Sequence, residues 1–248
     1  MTLAYDETGD GPAVLLLHST VCDRRMWDPQ TPVLAAAGHR VVRCDLRGYG
    51  DSPMPSAGWS NCGDVAELLD ALDIAATAVV GASGGGRVAL EFASRWPARV
   101  TALALICSAL PGHPPSEALR AFGDREDALL AAGDVEGATR LNVDTWVGPA
   151  APAATRAFVA EMQRHAFEVQ LAGPDDVAEE PTEIALEVVD APALVVSGAH
   201  DLVDFRDIAV RLAERLPSAR HVELDWAGHL PSLERPEPVN RLLIDFLR

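Results

Sequence analysis

A serine, an aspartate and a histidine stand in this order along the chain, each close to the end of a stretch with strand character. Ser83 lies among glycines in VVGASGGGRVAL, Asp201 follows the apolar run in ALVVSGAHD, and His229 lies in DWAGHLPSL. A serine hydroxyl becomes a nucleophile when a neutral imidazole removes its proton, and a carboxylate holds that imidazole in the required tautomer. This order predicts a catalytic triad in which Ser83 attacks, His229 carries the proton and Asp201 orients the imidazole.

The negative charge that forms on an attacked carbonyl oxygen needs backbone donors close to the nucleophile. Gly84, which follows the serine and begins a predicted helix, is expected to supply the first N–H. The loop after the first core strand, LLLHSTVCDRRMW, is expected to supply the second. We assign this second donor to Thr20, with its neighbours Ser19 and Val21 as alternatives.

The same glycine-rich segment could instead form a loop that binds a dinucleotide. Such a loop requires an acidic residue at the end of the following strand, where this chain has ICSAL. A short-chain dehydrogenase also needs a tyrosine and lysine pair, but the tyrosines are Tyr5 and Tyr49 and the chain has no lysine. The missing lysine also excludes a pyridoxal Schiff base and a Walker-type phosphate loop. We predict that no cofactor is needed, and no residue spacing indicates a metal site.

Other residues in these segments have types that could serve in the site. Asp204 and Asp207 compete with Asp201, but they begin a predicted helix, where aspartate commonly caps the chain. His18 and Asp45 are expected to fix loops around the site through hydrogen bonds. A set of large apolar residues is expected to line a substrate pocket: Trp27, Trp146, Phe158, Met162 and Phe167.

The segments that must position these residues alternate between strand and helix patterns, which predicts an α/β fold with a mostly parallel central sheet and helices on both faces. Strands are predicted at 13–18, 40–45, 77–83, 100–108, 193–198 and 220–224. Helices are predicted near 32–37, 62–72, 85–95, 205–215 and 238–247, and Asn61 is expected to cap the second of them.

Residues 111–190 interrupt this alternation with three helical patterns, near 116–132, 135–146 and 152–171, and no strand pattern. The segment predicts a helical cap inserted into an α/β core of residues 1–110 and 191–248, and we call it the cap. Its arginines could bind a substrate carboxylate, but their helical spacing among acidic residues favours a solvated face. They are Arg120, Arg125, Arg140, Arg156 and Arg164.

Composition narrows the possible partners. The 248 residues are 48% hydrophobic, and 20 arginines against 37 acidic residues give a net charge of −17. This charge argues against nucleic acid and anionic membranes as partners, because phosphate binding needs a basic face. The four cysteines lack metal or redox spacing and are expected to be reduced thiols. No membrane span or signal peptide is indicated, so we expect a cytoplasmic protein that acts on a small molecule; its oligomeric state stays open.

Three further segments resemble those of the α/β-hydrolase superfamily, and the resemblance covers nearly the whole chain. AVLLLHSTVCDRRMWDPQ resembles its oxyanion loop, RVVRCDLRGYGDSP its Asp-x-Arg-Gly-x-Gly-x-Ser turn, and GHLPSLERPEPVNRLLIDFL its histidine segment. Two positions depart from the pattern: Ser19 replaces the usual glycine, and Gly84 replaces a larger residue. The missing side chain at Gly84 is expected to open space beside the acyl group.

The arrangement is similar to that of enol-lactonases and small esterases that carry a helical cap. This resemblance implies a serine hydrolase that cleaves a carboxylic ester or lactone through an acyl-enzyme on Ser83. Hydrolysis of C–C bonds, thioester cleavage and perhydrolysis use the same triad and remain alternatives. A ligand receptor with the same fold is a further alternative from another class. Superfamily members that place the acid after an earlier strand would need it near Cys107 and Ser108, where this chain has none.

Overall fold

A seven-stranded sheet forms the centre of the protein in a computed structural model that describes residues 3–174 and 177–248. Residues 1, 2, 175 and 176, which belong to the predicted core and cap, lie outside the described residues. The strands are β1 (Tyr5–Thr8), β2 (Ala13–Leu17), β3 (Arg40–Cys44), β4 (Thr77–Ala82), β5 (Val100–Ile106), β6 (Ala193–Gly198) and β7 (Ala219–Leu224). Their spatial order is β1-β3-β2-β4-β5-β6-β7. The pair β1 and β3 is antiparallel and the other pairs are parallel, which confirms the predicted fold class.

Helices occupy most of the intervals between these strands. They are α1 (Thr31–Ala36), α2 (Asn61–Ala71), α3 (Gly84–Arg95), α4 (Glu117–Ala131), α5 (Val135–Trp146), α6 (Ala153–Leu171), α7 (Val203–Arg215), α8 (Pro231–Glu234) and α9 (Pro236–Leu247). Helices α4, α5 and α6 follow one another between β5 and β6, within the segment predicted as the cap. The division into core and cap at 110 and 190 stays a prediction. The helices among the described residues include none with the length and apolar content that a transmembrane span requires.

Both faces of the sheet are buried, which explains why the central strands read as nearly continuous apolar runs. Successive side chains of a strand point to opposite faces. In β2, Leu15 and Leu17 belong to one hydrophobic cluster, and Val14 and Leu16 belong to the other. The parallel strands are therefore held between two helical layers, and their carboxyl ends form one rigid edge.

One strand was missed and one local prediction is wrong. Strand β1 is not among the predicted strands; its sequence YDET is short and polar, and it pairs at the sheet edge with β3 alone. Helix α2 is capped by Ser60 and not by Asn61: the Ser60 hydroxyl accepts a hydrogen bond from Gly63 N–H, and Asn61 is already the first helical residue. Two adjacent residues of capping type cannot be ranked by sequence alone.

The strand order reverses next to β2, since the chain continues from β2 to β3 on one side and then to β4 on the other. In open α/β sheets, such a reversal leaves a crevice at the carboxyl ends of the strands. The loop after β2 and the turn after β4 meet at this crevice.

Candidate active site

Ser83 lies in the sharp turn between β4 and α3, in a backbone conformation that is costly for a residue with a side chain. Its φ is 53° and its ψ is −117°. Ser83 N–H donates to Ile106 O at 2.9 Å, and Ser83 O accepts from Ala109 N–H at 3.0 Å. These bonds to β5 and the residues after it hold the strained turn, which places the hydroxyl at the edge of the sheet.

Two glycines allow this turn to pack tightly. A Cβ added to Gly81 would lie 2.4 Å from Gly85 O, and one added to Gly85 would lie 2.4 Å from both Leu17 O and His18 O. Neither distance is possible for a real side chain. The Gly-x-Ser-x-Gly pattern is therefore required by the close approach of β4, α3 and the end of β2.

His229 and Asp201 form a buried pair beside this turn. His229 Nδ1–H donates to Asp201 Oδ2 at 2.7 Å, and the two side chains are only 3% and 1% exposed. Asp201 Oδ1 accepts from Leu202 N–H at 2.7 Å, which fixes the carboxylate. The imidazole packs against Trp146 and Phe205, with ring centroids 4.7 and 4.3 Å away. The ring is thus held in one plane, with Nδ1 engaged and Nε2 left for a proton transfer.

Glu234 supports the histidine loop and was not found from the sequence. Its carboxylate accepts from Gly228 N–H at 2.9 Å and from Leu230 N–H at 3.0 Å, the residues on either side of His229. The side chain is 5% exposed. The signal that could have identified it is an acidic residue five positions after the histidine, at the end of α8.

Cys107 follows β5 and lies beside the histidine pair. Its Sγ, an Asp201 oxygen and a His229 nitrogen all lie within 4.8 Å of one another, and these atom types could hold a metal ion. Burial raises the pKa of the Cys107 thiol well above its usual value, and the Asp201 charge adds to this effect. A protonated thiol is a poor metal ligand. The arrangement favours the pairing of Asp201 with His229 over metal ligation.

A central cavity of about 340 Å³ joins Ser83 and His229. Thr20, Val21 and Gly84 line the same space. Ser19 N–H points to Met26 Sδ at 3.2 Å and Val21 N–H to Ser19 Oγ at 3.5 Å. Among the described residues, no acceptor engages Thr20 N–H. Of the three residues considered for the second oxyanion donor, Thr20 has the N–H that is left for a ligand.

Thr20 also changes the expectation for Gly84. A Cβ on Gly84 would lie 2.5 Å from Thr20 Cγ2, so the Thr20 methyl group fills the space that the glycine leaves. The predicted opening beside the acyl group is therefore wrong. The small residue at position 84 instead lets the oxyanion loop approach the start of α3.

The apolar lining of the cavity differs in part from the prediction. Trp146 and Phe167 line it as expected, together with Leu119, Phe122 and Phe205. Trp27, Phe158 and Met162 lie elsewhere, so their assignment to the pocket is wrong. Trp27 is fully buried in the core, Met162 is 1% exposed in the same cluster, and the Phe158 ring packs against the Arg25 guanidinium.

Polar groups line the rest of the cavity. Glu126, Asn142, Gln163 and Gln170 come from the cap, and Tyr49 and Arg87 come from the core. Burial raises the pKa of Tyr49 to about 12, so its hydroxyl stays protonated. The Arg87 guanidinium contacts Glu91 Oε1 at 2.6 Å and Glu179 Oε2 at 2.8 Å.

His18 and Asp45 hold loops next to the cavity. His18 Nδ1–H donates to Ser19 O and its Nε2 accepts from Leu46 N–H, both at 2.9 Å. Burial lowers the pKa of His18, which favours this neutral tautomer. Asp45 accepts from the N–H groups of Arg24 at 2.7 Å and Asp51 at 2.9 Å. Through these hydrogen bonds, His18 and Asp45 hold the backbone around the crevice in place.

The competing aspartates and the cap arginines face other partners. Asp204 is buried and accepts from Ser116 N–H and Oγ–H at 2.7 and 2.6 Å, while Asp207 is exposed. The arginines lie at the surface or bond to neighbouring parts of the cap. Arg164 forms an ion pair with Glu136, and Arg156 donates hydrogen bonds to Val147 O and Gly148 O. None of the five lines the central cavity.

Comparison with known proteins agrees with the fold. The profile of the alpha/beta hydrolase family matches residues 14–242. The chain is 33% identical to "Putative carbamate hydrolase RutD" of Variovorax paradoxus, over 100% of this chain and 96% of the relative. It is 31% identical to the pimeloyl-[acyl-carrier protein] methyl ester esterase of Aromatoleum aromaticum, over 96% and 98%. The crystal structure of the enol-lactonase from Burkholderia xenovorans superposes with a TM-score of 0.81 at 26% identity, covering 99% of this chain and 96% of that one. The chain is an enzyme that belongs to the alpha/beta hydrolase family.

Proposed function

We propose that the protein is a serine hydrolase that cleaves a carboxylic ester or lactone of a small molecule through an acyl-enzyme on Ser83. The observation that carries this proposal is the 2.7 Å bond between His229 Nδ1 and Asp201 Oδ2, made beside a cavity that Ser83 also lines. The esterase and enol-lactonase named among its relatives support the ester or lactone class.

In the first half of the reaction, Ser83 Oγ attacks the carbonyl carbon while His229 Nε2 takes the hydroxyl proton. The carbonyl oxygen becomes negative, and the N–H groups of Gly84 and Thr20 stabilise it. Asp201 stabilises the imidazolium, since its carboxylate accepts the Nδ1 proton. His229 then gives its proton to the leaving alcohol oxygen, the bond from carbon to that oxygen breaks, and the acyl group stays on Ser83.

In the second half, a water molecule takes the position of the alcohol. His229 removes its proton as the water oxygen attacks the acyl carbon, and the same two N–H groups hold the oxyanion. Collapse of this intermediate breaks the bond to Ser83, and His229 returns the proton to Oγ. In a lactone the alcohol and the acid remain one molecule, so the ring opens to a hydroxy acid.

Intact-protein mass after exposure to a fluorophosphonate, followed by turnover of p-nitrophenyl esters, tests the proposal. The natural chain is expected to gain one adduct and to hydrolyse the ester. Ser83→Ala should lose both, with a rate loss of at least about 10³-fold. Ser218→Ala, which changes an exposed serine, is the matched control and should keep both. An adduct that persists in Ser83→Ala would refute the assignment of the nucleophile.

The same protein samples separate the alternative activities that share this triad. Thioesters, vinylogous diketones, and esters with added peroxide report on thioester cleavage, C–C hydrolysis and perhydrolysis respectively. A single slow adduct without sustained turnover on any of them would instead support a ligand receptor. Faster turnover of any of these classes than of esters and lactones would replace the proposed substrate class.

A further inference from the structure

A chain of hydrogen bonds runs along one wall of the central cavity. Trp146 Nε1–H donates to Asn142 Oδ1 at 3.1 Å, and the Asn142 amide N–H groups donate to Glu126 Oε1 and Ala138 O. Asn142 is 2% exposed, so its orientation is fixed. The bonds occupy one oxygen of Glu126. Its other oxygen, Oε2, accepts no hydrogen bond from the described residues.

A second acceptor lies in the same cavity lining. Gln163 is 3% exposed, and its buried Oε1 has no hydrogen-bond partner among the residues that the structure describes. A buried acceptor without a partner is costly, and native structures usually satisfy it. Gln163 on α6 and Glu126 on α4 thus both line the cavity and each has an acceptor oxygen that no described residue engages.

The charge on this wall of the cavity is negative and comes from Glu126. Glu126 has no cation within ion-pair distance among the described residues, while Arg87 already contacts Glu91 and Glu179. The cap arginines lie outside the cavity. A ligand carboxylate would meet the Glu126 carboxylate without a free cation to offset it, whereas an ammonium group would pair with it.

The position of this wall relative to His229 indicates which part of a substrate it contacts. In the proposed reaction, His229 protonates the leaving oxygen, so the leaving group must lie next to its Nε2. The rings that pack against His229 are Trp146 and Phe205. Trp146 begins the hydrogen-bond chain that ends at Glu126, so a leaving group that extends from His229 along this wall reaches Glu126.

The geometry points to a substrate whose leaving-group side ends in a hydrogen-bond donor, with a protonated amine favoured over a hydroxyl, and Glu126 and Gln163 as the acceptors that select it. This inference rests on the proposed function for the identity of the leaving group. It names Glu126 and Gln163 as residues that determine specificity, separate from the residues that carry the chemistry.

Matched esters of one acid test the preference through kcat/KM. The leaving alcohols carry a terminal amine, hydroxyl, methyl or carboxylate group on ethyl, butyl and hexyl chains. At the chain length that reaches the wall, the amine ester should exceed the methyl ester by about tenfold, mainly through KM, and the carboxylate ester should be the poorest. Equal rates at every length, or a preference for the carboxylate, would overturn the inference.

Two variants and one control assign the effect. Glu126→Gln keeps an oxygen for Asn142 but turns an N–H group toward the ligand, so the amine preference should fall to about one and the carboxylate ester should improve severalfold. Gln163→Met should weaken the amine and hydroxyl esters about threefold and leave the methyl ester unchanged. Asp127→Asn removes the same charge from the neighbouring exposed residue and should keep the preference. A loss as large in Asp127→Asn as in Glu126→Gln would contradict direct recognition.

Calorimetry with the free alcohols separates this inference from the proposed reaction. Amino alcohols should bind the Ser83→Ala protein about tenfold more tightly than matched alkanols, and Glu126→Gln should remove that difference. If amino alcohols bind more tightly and Glu126→Gln removes the difference, but no ester is hydrolysed, the inferred subsite is supported and the proposed function is refuted. If esters are hydrolysed without amine preference and amino alcohols bind no better, the function stands and the subsite fails.

Discussion

The histidine loop depends on a carboxylate outside the proposed triad. Glu234 binds the backbone on both sides of His229, so it sets the position of the imidazole without touching a substrate. A Cβ on Gly148 would lie 2.1 Å from Glu234 Oε2, which shows how closely the cap backbone packs over this carboxylate. Glu234 is therefore a positioning residue, and the His229 bond to Asp201 relies on it.

Glu234→Gln tests this role because it replaces one carboxylate oxygen with an amide NH₂ group. The substitution places an N–H group against a backbone N–H, so one buried donor loses its acceptor at a cost of about 1–3 kcal/mol. We expect kcat to fall about 5- to 150-fold with KM nearly unchanged, and fluorophosphonate labelling to slow in parallel. Glu237→Gln, on the exposed face of α9, should match the natural enzyme. A change in KM alone would show that Glu234 acts on binding.

The chain order of the three residues proposed as the triad could be predicted because each follows a strand whose pattern is plain, and parallel strands bring their carboxyl ends to one edge. The cavity lining could not be predicted as well. Trp27 and Trp146 are the same residue type beside apolar neighbours, but the first packs into the core and the second faces the cavity. Which of these happens depends on how the cap lies on the sheet, and helical periodicity does not contain that information.

At the scale of elements, Asp204 joins the cap to the core. It lies in the first turn of α7 and accepts two hydrogen bonds from Ser116, the residue that caps α4. His113 Nε2 also lies 3.6 Å from its Oδ1. Asp204 competed with Asp201 in the sequence as a catalytic acid, but its contacts make it a link between two helices.

This link gives stability a defined pH dependence. Burial raises the pKa of Asp204, but the Ser116 hydrogen bonds outweigh burial, so the pKa in the folded protein lies below its usual value of 3.8. A carboxyl whose folded pKa is depressed stabilises the fold above its unfolded pKa, and the contribution is lost as the pH falls through the folded value. Asp204→Asn should lower the free energy of unfolding by about 1–3 kcal/mol at pH 7.

Urea unfolding of both proteins from pH 7 to pH 3 measures the difference. The difference between their free energies of unfolding should stay constant down to about pH 5 and become smaller as the pH falls below the usual carboxyl pKa of 3.8. Asp207→Asn, an exposed position on the same helix, should show no such difference. A difference that grows as the pH falls would contradict the stabilising role of the ionised Asp204.

For the whole molecule, the reactivity of the cysteine thiols shows whether the interior of the protein is accessible to reagents. All four cysteines are free and buried: Cys22, Cys44, Cys62 and Cys107. Burial raises the pKa of Cys22, Cys44 and Cys107, and the thiolate is the reactive form. We expect a disulfide reagent such as DTNB to label none of them over minutes at pH 8 in the native protein and all four in urea. Rapid labelling of one thiol without denaturant would reveal an opening that the fold does not contain.

The pairing of β5 with β6 brings together segments that lie far apart along the chain. Leu103 pairs with Ala193 and Ile106 with Val196, although α4, α5 and α6 intervene. The entropy of closing a loop grows only with the logarithm of its length, so doubling the insertion costs about 0.6 kcal/mol. Because β5 and β6 pair whatever lies between them, evolution can lengthen, shorten or exchange the insertion with little cost in folding free energy. New substrates can therefore be acquired at this one junction while the sheet and its strained turn are inherited unchanged.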